Sequence, residues 1–339
     1  MKQATKDGAQ ALQVDDFTQG GAHTAKVAAA VPRYYGETLL ELARQRPQIV
    51  CLGADLSFST ETDIFRDTLR ERFFNAGIAE ANMIGVAGGL ARIGLQPWVH
   101  SFCVFATRRC YDQIAMQVAY PRTDVKIVGY LPGLSTILGV SHQAIDDIAL
   151  MRALPNMTII EPSGPAQVPA AVRAAADHRG PVYLRMTRAA VALSAGTPWQ
   201  ELSIGRIQPL FEGRDAVLLA SGLTVEPAKA AAEILRAEGL AVAVANVHTL
   251  KPFDTAYVRD IAQTHKLIVT VENHSVIGGL GSAVAEVMAE VGTGARLLRL
   301  GVQDCFAEGA STAWLFEKHG LSATGIAASL RSALVGVQR

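Results

Sequence analysis

The sequence predicts two α/β domains, each built on a parallel sheet with helices on both faces. The first observation behind this prediction is the alternation of short apolar runs with amphipathic helical segments along most of the chain. The second is that these runs are apolar throughout, which is typical of strands buried on both faces. The third is the length, because 339 residues exceed one ordinary core and suggest about two domains.

The first predicted domain spans 33–190 and follows a leader, 1–32, that lacks sustained periodicity and is predicted to be flexible. Its predicted helices are 34–45, 81–93, 108–119, 142–154 and 165–178. Its predicted strands are 49–54, 97–100, 125–130, 158–161 and 182–186, and a further strand or extended segment begins at Phe73 and runs into a glycine turn. Ser141 is a candidate N-cap for the helix 142–154, and Pro155 ends that helix.

The second predicted domain spans 205–339 and follows a linker at 191–204, where Gly and Pro interrupt the pattern. Its predicted strands are 216–221, 242–247, 267–272 and 296–300, and its predicted helices are 225–237, 254–262 and 282–290. A glycine cluster at 278–281 precedes the last of these helices. Val284 stands where a dinucleotide fingerprint requires its third glycine, so we expect these glycines to allow close helix packing.

Composition excludes several classes of protein. The 31 basic and 31 acidic side chains cancel, so no basic field attracts nucleic acid. No apolar run is long enough for a membrane span. The four cysteines, Cys51, Cys103, Cys110 and Cys305, lack the spacing of a disulfide framework or a zinc site. We therefore expect a cytoplasmic protein without nucleic-acid or membrane partners and without a metal site of its own.

Residues suited to chemistry follow the predicted strands in order. Zinc-protease, P-loop, nucleophile-elbow and EF-hand motifs are all absent from the sequence. Arg33 opens the first helix, and the other candidates lie at or just past the carboxyl end of a predicted strand: Asp55, Glu80, Phe102, Phe105, His142 and Arg188. Ligands of open parallel sheets bind along that edge.

Glu80 is the central candidate. It lies in the first turn of the helix 81–93, beside apolar neighbours. Desolvation and the positive helix end act on such a carboxyl group in opposite directions, so it can share a proton with a ligand. Taken alone, a glutamate in a first turn more simply complements the helix dipole. Its neighbours in sequence favour the functional interpretation.

The chain resembles the carboxyl-terminal half of a transketolase, which comprises the pyrimidine-binding and C-terminal domains of this thiamine diphosphate enzyme family. The resemblance covers the chain from about Arg33 to its end. It rests on these stretches: RYYGETLL (33–40), LGADL (52–56), NAGIAEAN (75–82), SFCVFATRRCYDQ (101–113), SHQAIDDIALMRALPN (141–156), YLRMTR (183–188), HTLKPFD (248–254) and ENHSVIGGLGSAV (272–284). Together these stretches are specific, although each alone is a weak signal.

The resemblance implies roles for the residues around the cofactor. Glu80 matches the catalytic glutamate that hydrogen-bonds the pyrimidine ring, so that the cofactor's own amino group can remove its C2 proton. Phe102 and Phe105 match aromatic residues that pack on that ring. His142 matches a histidine that assists proton transfers on the sugar oxygens. Asp55 resembles an acid that lines the cofactor channel.

Arg33 and Arg188 match two arginines that bind a sugar phosphate. The planar guanidinium group offers bidentate geometry that lysine cannot provide. Without the resemblance, simpler interpretations hold for these candidates. The two phenylalanines would be core residues, His142 a hydrogen-bonded structural group, and the arginines partners in surface ion pairs.

The family's motif for diphosphate and metal, Gly-Asp-Gly with downstream Asn residues, does not occur in the sequence. A glycine-rich backbone and a divalent cation neutralise the cofactor's diphosphate. The resemblance therefore implies a partner subunit that holds most of the diphosphate and its Mg²⁺ or Ca²⁺. The expected assembly is an α2β2 heterotetramer that is active only with both subunits.

Two positions depart from the family's sugar-binding pattern. Tyr130 and Leu138 stand where transketolases usually carry a histidine and an aspartate that contact sugar hydroxyls. Loss of a polar group aimed at a hydroxyl changes specificity by orders of magnitude. The two arginines still imply an anionic substrate, but the usual pentose phosphates are open to question. A branched, deoxy or sulfonated sugar is an alternative.

Three functions are weighed on these grounds. The leading one is the β subunit of a split transketolase that moves a two-carbon ketol unit between phosphorylated sugars. The second is the β subunit of a 2-oxoacid dehydrogenase E1 component, against which stand the Ser-His-Gln at 141–143 and the arginine pair. The third is a non-catalytic scaffold that binds a partner, against which stands Glu80.

Overall fold

The computed structural model describes residues 33–187, 202–292 and 294–335. The predicted leader, Arg188 and most of the predicted linker lie outside the described residues. Within the described residues, no helix is both long enough and apolar enough to span a membrane.

Twelve strands form two sheets in the described residues. The strands before the predicted linker are β1 (Ile49–Gly53), β2 (Phe73–Asn75), β3 (Gln96–Phe102), β4 (Lys126–Tyr130), β5 (Thr158–Ile160) and β6 (Val182–Met186). The strands after it are β7 (Gln208–Phe211), β8 (Ala216–Ala220), β9 (Val242–Asn246), β10 (Thr249–Lys251), β11 (Leu267–Ser275) and β12 (Arg296–Val302).

Both sheets are mostly parallel, which confirms the predicted fold class. The first sheet has the strand order β10-β5-β6-β4-β3-β1-β2, and the second has the order β12-β11-β8-β9-β7. Strands β1, β3, β4 and β6 are buried at every residue, as expected of strands covered on both faces. The two antiparallel pairs, β10 with β5 and β7 with β9, each lie at a sheet edge.

Helices cover the sheets and connect their strands. Those before the predicted linker are α1 (Tyr34–Gln45), α2 (Asp63–Thr68), α3 (Glu80–Arg92), α4 (Cys103–Thr107), α5 (Tyr111–Gln113), α6 (Asp147–Ala153) and α7 (Val168–Asp177). Those after it are α8 (Val225–Ala237), α9 (Thr255–Thr264), α10 (Leu280–Val291), α11 (Thr312–Lys318) and α12 (Ala323–Val335). Short 3-10 turns occupy Arg70–Arg72, Arg108–Cys110, Pro165–Gln167 and Gly222–Thr224, and a π-helical segment occupies Ile114–Ala119.

One predicted helix is wrong over its first third. The segment predicted as helical from residue 142 becomes α6 only at Asp147. Ser141 does not cap it, because its hydroxyl lies 2.9 Å from Nδ1 of His142. The backbone before α6 is used elsewhere: Ala144 forms an isolated bridge with Pro132, and its carbonyl accepts a hydrogen bond from Arg185. His142 therefore lies in a turn, at the edge of the first sheet.

The second half of the chain adds a strand to the first sheet. β10 pairs with β5 through Thr249 opposite Ile160 and Lys251 opposite Ile159. The Lys251 ammonium group donates to the carbonyls of Arg152 and Leu154 at 2.8 and 2.6 Å. The second half of the chain is therefore joined to the first sheet by backbone and side-chain hydrogen bonds.

Candidate active site

Four of the predicted site residues, Glu80, Phe102, Phe105 and His142, lie close together at the carboxyl edge of the first sheet. β3 ends at Phe102, directly beside the end of β4 at Tyr130. Glu80 is the first residue of α3, which follows β2. We call Glu80, Phe102, Phe105, Arg109 and His142 the Glu80 cluster, because the contacts described next connect all five.

The Glu80 carboxyl group is buried but lies against one exposed cation. Its side chain keeps 3% of its accessible surface. The buried Ser101 hydroxyl donates to Oε1 at 3.3 Å, and the Arg109 guanidinium donates to Oε2 at 3.1 Å. The Arg109 side chain is 47% exposed. The carboxylate therefore has one fixed partner inside the protein and one partner that faces solvent.

Aromatic rings form the wall beside this carboxylate. The Phe102 and Phe105 rings are 6.1 Å apart and inclined by 36°. The His142 ring meets Phe105 edge-on at 5.1 Å and lies 6.1 Å from Phe102. Phe102 is buried, and Phe105 is half-buried. The predicted aromatic pair and the predicted histidine are therefore direct neighbours.

An irregular helical segment places the arginines of this region. From Cys103 to Ala119 the chain passes through α4, a 3-10 turn, α5 and a π-helical segment. Such changes of helix type often mark functional positions. Arg108 and Arg109, both in the 3-10 turn, point to different partners. Arg108 pairs with Asp146, whereas Arg109 contacts Glu80 and stacks over the Phe105 ring at 4.3 Å.

His142 lies in an environment that favours its neutral form. Burial lowers the pKa of its imidazole below the usual 6.5, and the positive charge of Arg109 lowers it further. Its Nδ1 is 2.9 Å from the Ser141 hydroxyl. A neutral imidazole can accept a proton from one group and return it to another, which is the property predicted for this residue.

Asp55 lies at the same sheet edge but lines a cavity that includes no residue of the Glu80 cluster. Its backbone has a left-handed φ of 60°, and its backbone N–H donates to the Asn75 side chain at 3.1 Å. The Asn75 amide donates back to the Asp55 carboxylate at 3.4 Å. Both residues line a cavity of about 750 Å³ together with Phe58, Arg66 and Arg70. A role for Asp55 at the cofactor stays a prediction.

Arg33 already has an anionic partner within the chain. Its guanidinium forms a two-pronged ion pair with Asp63, with one contact at 2.9 Å. Both side chains are largely buried, and the guanidinium also lies over the Phe58 ring at 5.7 Å. Arg188, the other predicted phosphate ligand, lies outside the described residues. Any substrate anion that reaches Arg33 would therefore compete with Asp63.

The two positions that depart from the sugar-binding pattern are filled differently. Tyr130 is fully buried and packs edge-on against Tyr35 at 5.8 Å. Leu138 is half-buried, and its backbone N–H donates to the Thr136 hydroxyl at 3.2 Å. A core aromatic side chain and an aliphatic side chain thus replace the expected polar groups. Their contribution to substrate choice stays a prediction.

The described residues fit one end of thiamine diphosphate better than the other. A carboxylate, two aromatic rings and a neutral imidazole suit an aminopyrimidine ring. By contrast, nowhere in 33–187, 202–292 and 294–335 do three His, Cys, Asp or Glu side chains group so that they could hold a metal ion. The groups for the ring are present, whereas no acidic cluster for a diphosphate-bound cation occurs in the described part of the chain.

Sequence reasoning missed Ser101, Arg109 and Asp63, although all three contact predicted residues. Ser101 and Arg109 belong to the stretch 101–113 that carries the resemblance, so their position gave a signal. The sequence did not reveal that both contact Glu80, because these contacts join residues 21 and 29 positions apart. Asp63 had no signal, since α2 was not predicted.

A second polar cluster lies between the two sheets. Arg185, in β6, is completely buried and donates to Asp147 at 2.7 and 3.0 Å and also to Glu161. It donates further to the backbone carbonyl of Asn273, in β11 of the second sheet, at 3.0 Å. Burial opposes ionisation of Asp147, but the neighbouring Arg185 holds the pKa of that carboxyl below its usual range.

Glu272 and His274, both in β11, extend this cluster. Glu272 accepts hydrogen bonds from the backbone N–H groups of Leu280 and Gly281 at 2.7 and 2.9 Å, at the start of α10. Burial nevertheless raises the pKa of Glu272 to about 7. Burial lowers the pKa of His274 to about 4, which leaves its ring neutral. We call Asp147, Glu161, Arg185, Glu272 and His274 the Arg185 cluster.

Comparison with known proteins covers nearly the whole chain. Residues 28–193 match the family model of the transketolase pyrimidine binding domain. Residues 205–326 match the model of the transketolase C-terminal domain.

Several similar proteins match the chain over most of their own lengths. A protein of Clostridium sp. (strain MSTE9), described as 6-deoxy-6-sulfo-D-fructose transketolase subunit SqwH, is 44% identical over 86% of this chain and 90% of its own. A putative transketolase C-terminal section of Methanocaldococcus jannaschii is 41% identical over 86% of this chain and 92% of its own. A solved structure described as a split gene transketolase, inactive beta4 tetramer, is 42% identical, with a TM-score of 0.81, over 89% of this chain and 97% of its own.

Proposed function

Because the chain belongs to the transketolase family, as its sequence predicted, we propose that it is the β subunit of a split transketolase. In this role it supplies the pyrimidine-binding half of a thiamine diphosphate site and moves a two-carbon ketol unit between sugars. The observation that carries the proposal is the Glu80 cluster. A buried carboxylate at the start of α3 meets two aromatic rings and a neutral imidazole at the carboxyl edge of a parallel sheet.

Each residue of the cluster has a task in this proposal. Thiamine diphosphate, when bound, supplies the carbanion that takes up the ketol unit. Glu80 holds a hydrogen bond to the pyrimidine ring nitrogen, and the rings of Phe102 and Phe105 exclude water and orient the ring. His142, kept neutral by burial and Arg109, accepts and returns protons at the sugar oxygens.

We infer that a partner subunit binds the diphosphate half of the cofactor. The Gly-Asp-Gly motif is absent from the sequence, and no acidic triad for a cation occurs in the described residues. The partner would hold the diphosphate with Mg²⁺ or Ca²⁺ in an α2β2 assembly. One relative's structure is described as an inactive tetramer of β subunits. For this chain we likewise expect inactivity without its partner.

The proposed substrates are phosphorylated sugars or a sulfonated analogue. One relative is described as a subunit of a sulfofructose transketolase, and Tyr130 and Leu138 replace polar groups expected for ordinary pentose phosphates. Arg33 and Arg188 are proposed to bind the anionic end. A cytoplasmic location remains part of the proposal.

The test uses the chain expressed in the cells from which it comes, so that its natural partner is present. A tagged copy is purified with its partner, and the complex is assayed for ketol transfer with thiamine diphosphate, Mg²⁺, pentose phosphates and 6-deoxy-6-sulfofructose. We expect transfer by the complex, none by the isolated chain, and a loss of about 10²–10⁴-fold in kcat for Glu80→Ala. Glu41→Ala removes an exposed carboxylate of α1 and serves as the matched control.

The same assay separates the alternatives. Decarboxylation of a 2-oxo acid without ketol transfer would replace the proposal with the E1 component of a 2-oxoacid dehydrogenase. Full activity of Glu80→Ala in the complex would support the non-catalytic scaffold.

A further inference from the structure

Arg109 contacts two residues of the proposed cofactor site and acts on a third through its charge. Its guanidinium donates to Oε2 of Glu80 at 3.1 Å and lies over the Phe105 ring at 4.3 Å. Its charge also lowers the pKa of His142. The sequence-based roles include no task for this residue. A single flexible cation thus connects the carboxylate, an aromatic wall residue and the imidazole.

The position of Arg109 determines how a ligand can approach Glu80. Ser101, which binds Oε1, is fully buried, and the Glu80 side chain is 3% exposed. The Arg109 side chain is 47% exposed. Any ligand that comes from solvent therefore reaches the carboxyl group on the side that Arg109 occupies.

The contact with Arg109 also conflicts chemically with the proposed task of Glu80. A guanidinium group has only donors, so its partner carboxylate serves only as an acceptor. An unprotonated ring nitrogen is itself an acceptor, and it requires a carboxyl group that carries a proton. Because Ser101 binds Oε1 on the buried side, a ring nitrogen that approaches from solvent competes with Arg109 for the position beside Oε2. A ring that binds through Oε2 therefore displaces the guanidinium from that position.

We propose that Arg109 is a positioning residue that holds Glu80 in the unloaded subunit and leaves the carboxyl group when the pyrimidine ring binds. The inference rests on the proposed function and adds a competing contact to it. The Phe105 ring gives the guanidinium a partner that it keeps after leaving Glu80. Cofactor binding therefore includes the breaking of an ion pair between a buried carboxylate and a half-exposed guanidinium, which lowers the affinity for the cofactor.

The test measures cofactor binding and does not depend on turnover. Thiamine diphosphate with Mg²⁺ is titrated calorimetrically into the complex of the tagged chain with its partner. We expect Arg109→Met to bind about tenfold more tightly than the wild type, because a hydrogen bond to a charged group corresponds to about that factor. Arg109→Lys keeps the charge and should bind like the wild type. Arg108→Met removes a charge from the same turn, where the partner is Asp146, and serves as the control with unchanged affinity.

Each outcome decides between the two claims. Absence of binding by the wild-type complex contradicts the proposed function, and the role of Arg109 with it. Binding by the wild type with equal or weaker binding by Arg109→Met overturns only the role of Arg109. Should Arg109→Met not fold, a crystal structure of the loaded wild-type complex decides. A guanidinium still within hydrogen-bond distance of Glu80 overturns the proposal, and one that has moved away supports it.

Discussion

The Glu80 and Arg185 clusters contain similar groups and differ in access to solvent. In both, the carboxyl group of a buried glutamate lies at the start of a helix, with an arginine and a histidine nearby. The Arg109 of the first cluster is 47% exposed, whereas Arg185 is completely buried and donates to two carboxylates and two backbone carbonyls. One arginine can move without unfolding the chain, and the other cannot.

This difference shows that a perturbed carboxyl group does not by itself identify an active site. The carboxyl group with the clearly raised pKa is Glu272, at about 7, yet its oxygens are bound by backbone N–H groups of α10 between the sheets. Glu80 is the carboxylate whose partner reaches solvent. Both carboxyl groups are buried, whereas only an accessible partner can be exchanged for a ligand.

The largest expected effect is on stability, at Arg185. Arg185→Met leaves the buried carboxylates of Asp147 and Glu161 without their cation. We expect the free energy of unfolding to fall by about 3–5 kcal/mol, as measured by chemical denaturation of the isolated chain. Arg109→Met should lower it by no more than about 1–2 kcal/mol, since Glu80 keeps its bond from Ser101. Equal losses for the two variants would contradict the comparison.

The pH dependence of stability tests the role of Glu272 in the Arg185 cluster. Because burial raises its pKa in the folded state to about 7, the folded chain retains a proton that the unfolded chain has lost. The stability that this proton contributes is full below the unfolded pKa of about 4.5 and is lost as the pH rises to about 7. The difference in unfolding free energy between wild type and Glu272→Gln should therefore fall by up to about 3 kcal/mol over this window. A pH-independent difference would show that Glu272 titrates normally.

The smallest expected effect compares two glycines, one in each region. A Cβ at Gly279 would lie 1.9 Å from Oε2 of Glu272, whereas a Cβ at Gly89 in α3 meets nothing within 4 Å. Gly279→Ala should therefore lower the free energy of unfolding by about 1–3 kcal/mol. Gly89→Ala should raise it by roughly 0.5–1 kcal/mol through helix propensity. Thermal denaturation of the two variants measures both, and the same sign for both would refute the packing difference.

Periodicity predicted the regular parts of the fold. Helices α1 and α8 begin and end at the predicted residues, because each combines an apolar face with clear limits. Strands β7 and β10 and helices α2, α4, α11 and α12 were not predicted. The two strands pair antiparallel at sheet edges and have three or four residues each, too few for a periodic signal.

Several residues of the site could be predicted from the sequence, but the contacts between them could not. Glu80, Phe102, Phe105 and His142 were named from sequence, and the structure brings them together. The helix predicted over His142 was wrong, because tertiary hydrogen bonds to the preceding backbone outweigh local propensity. Arg109 and Asp63 depend on contacts between distant positions, which a single sequence does not reveal.

The strand β10 has a consequence for how this chain can be divided. A fragment that ends before it would leave the backbone of β5 as a bare sheet edge, where Ile159 and Ile160 lose their pairing partners. Bare edges recruit strands from other molecules. Recombination that replaces only the second half of this polypeptide would remove β10 and expose that edge. The two halves are therefore expected to be inherited together.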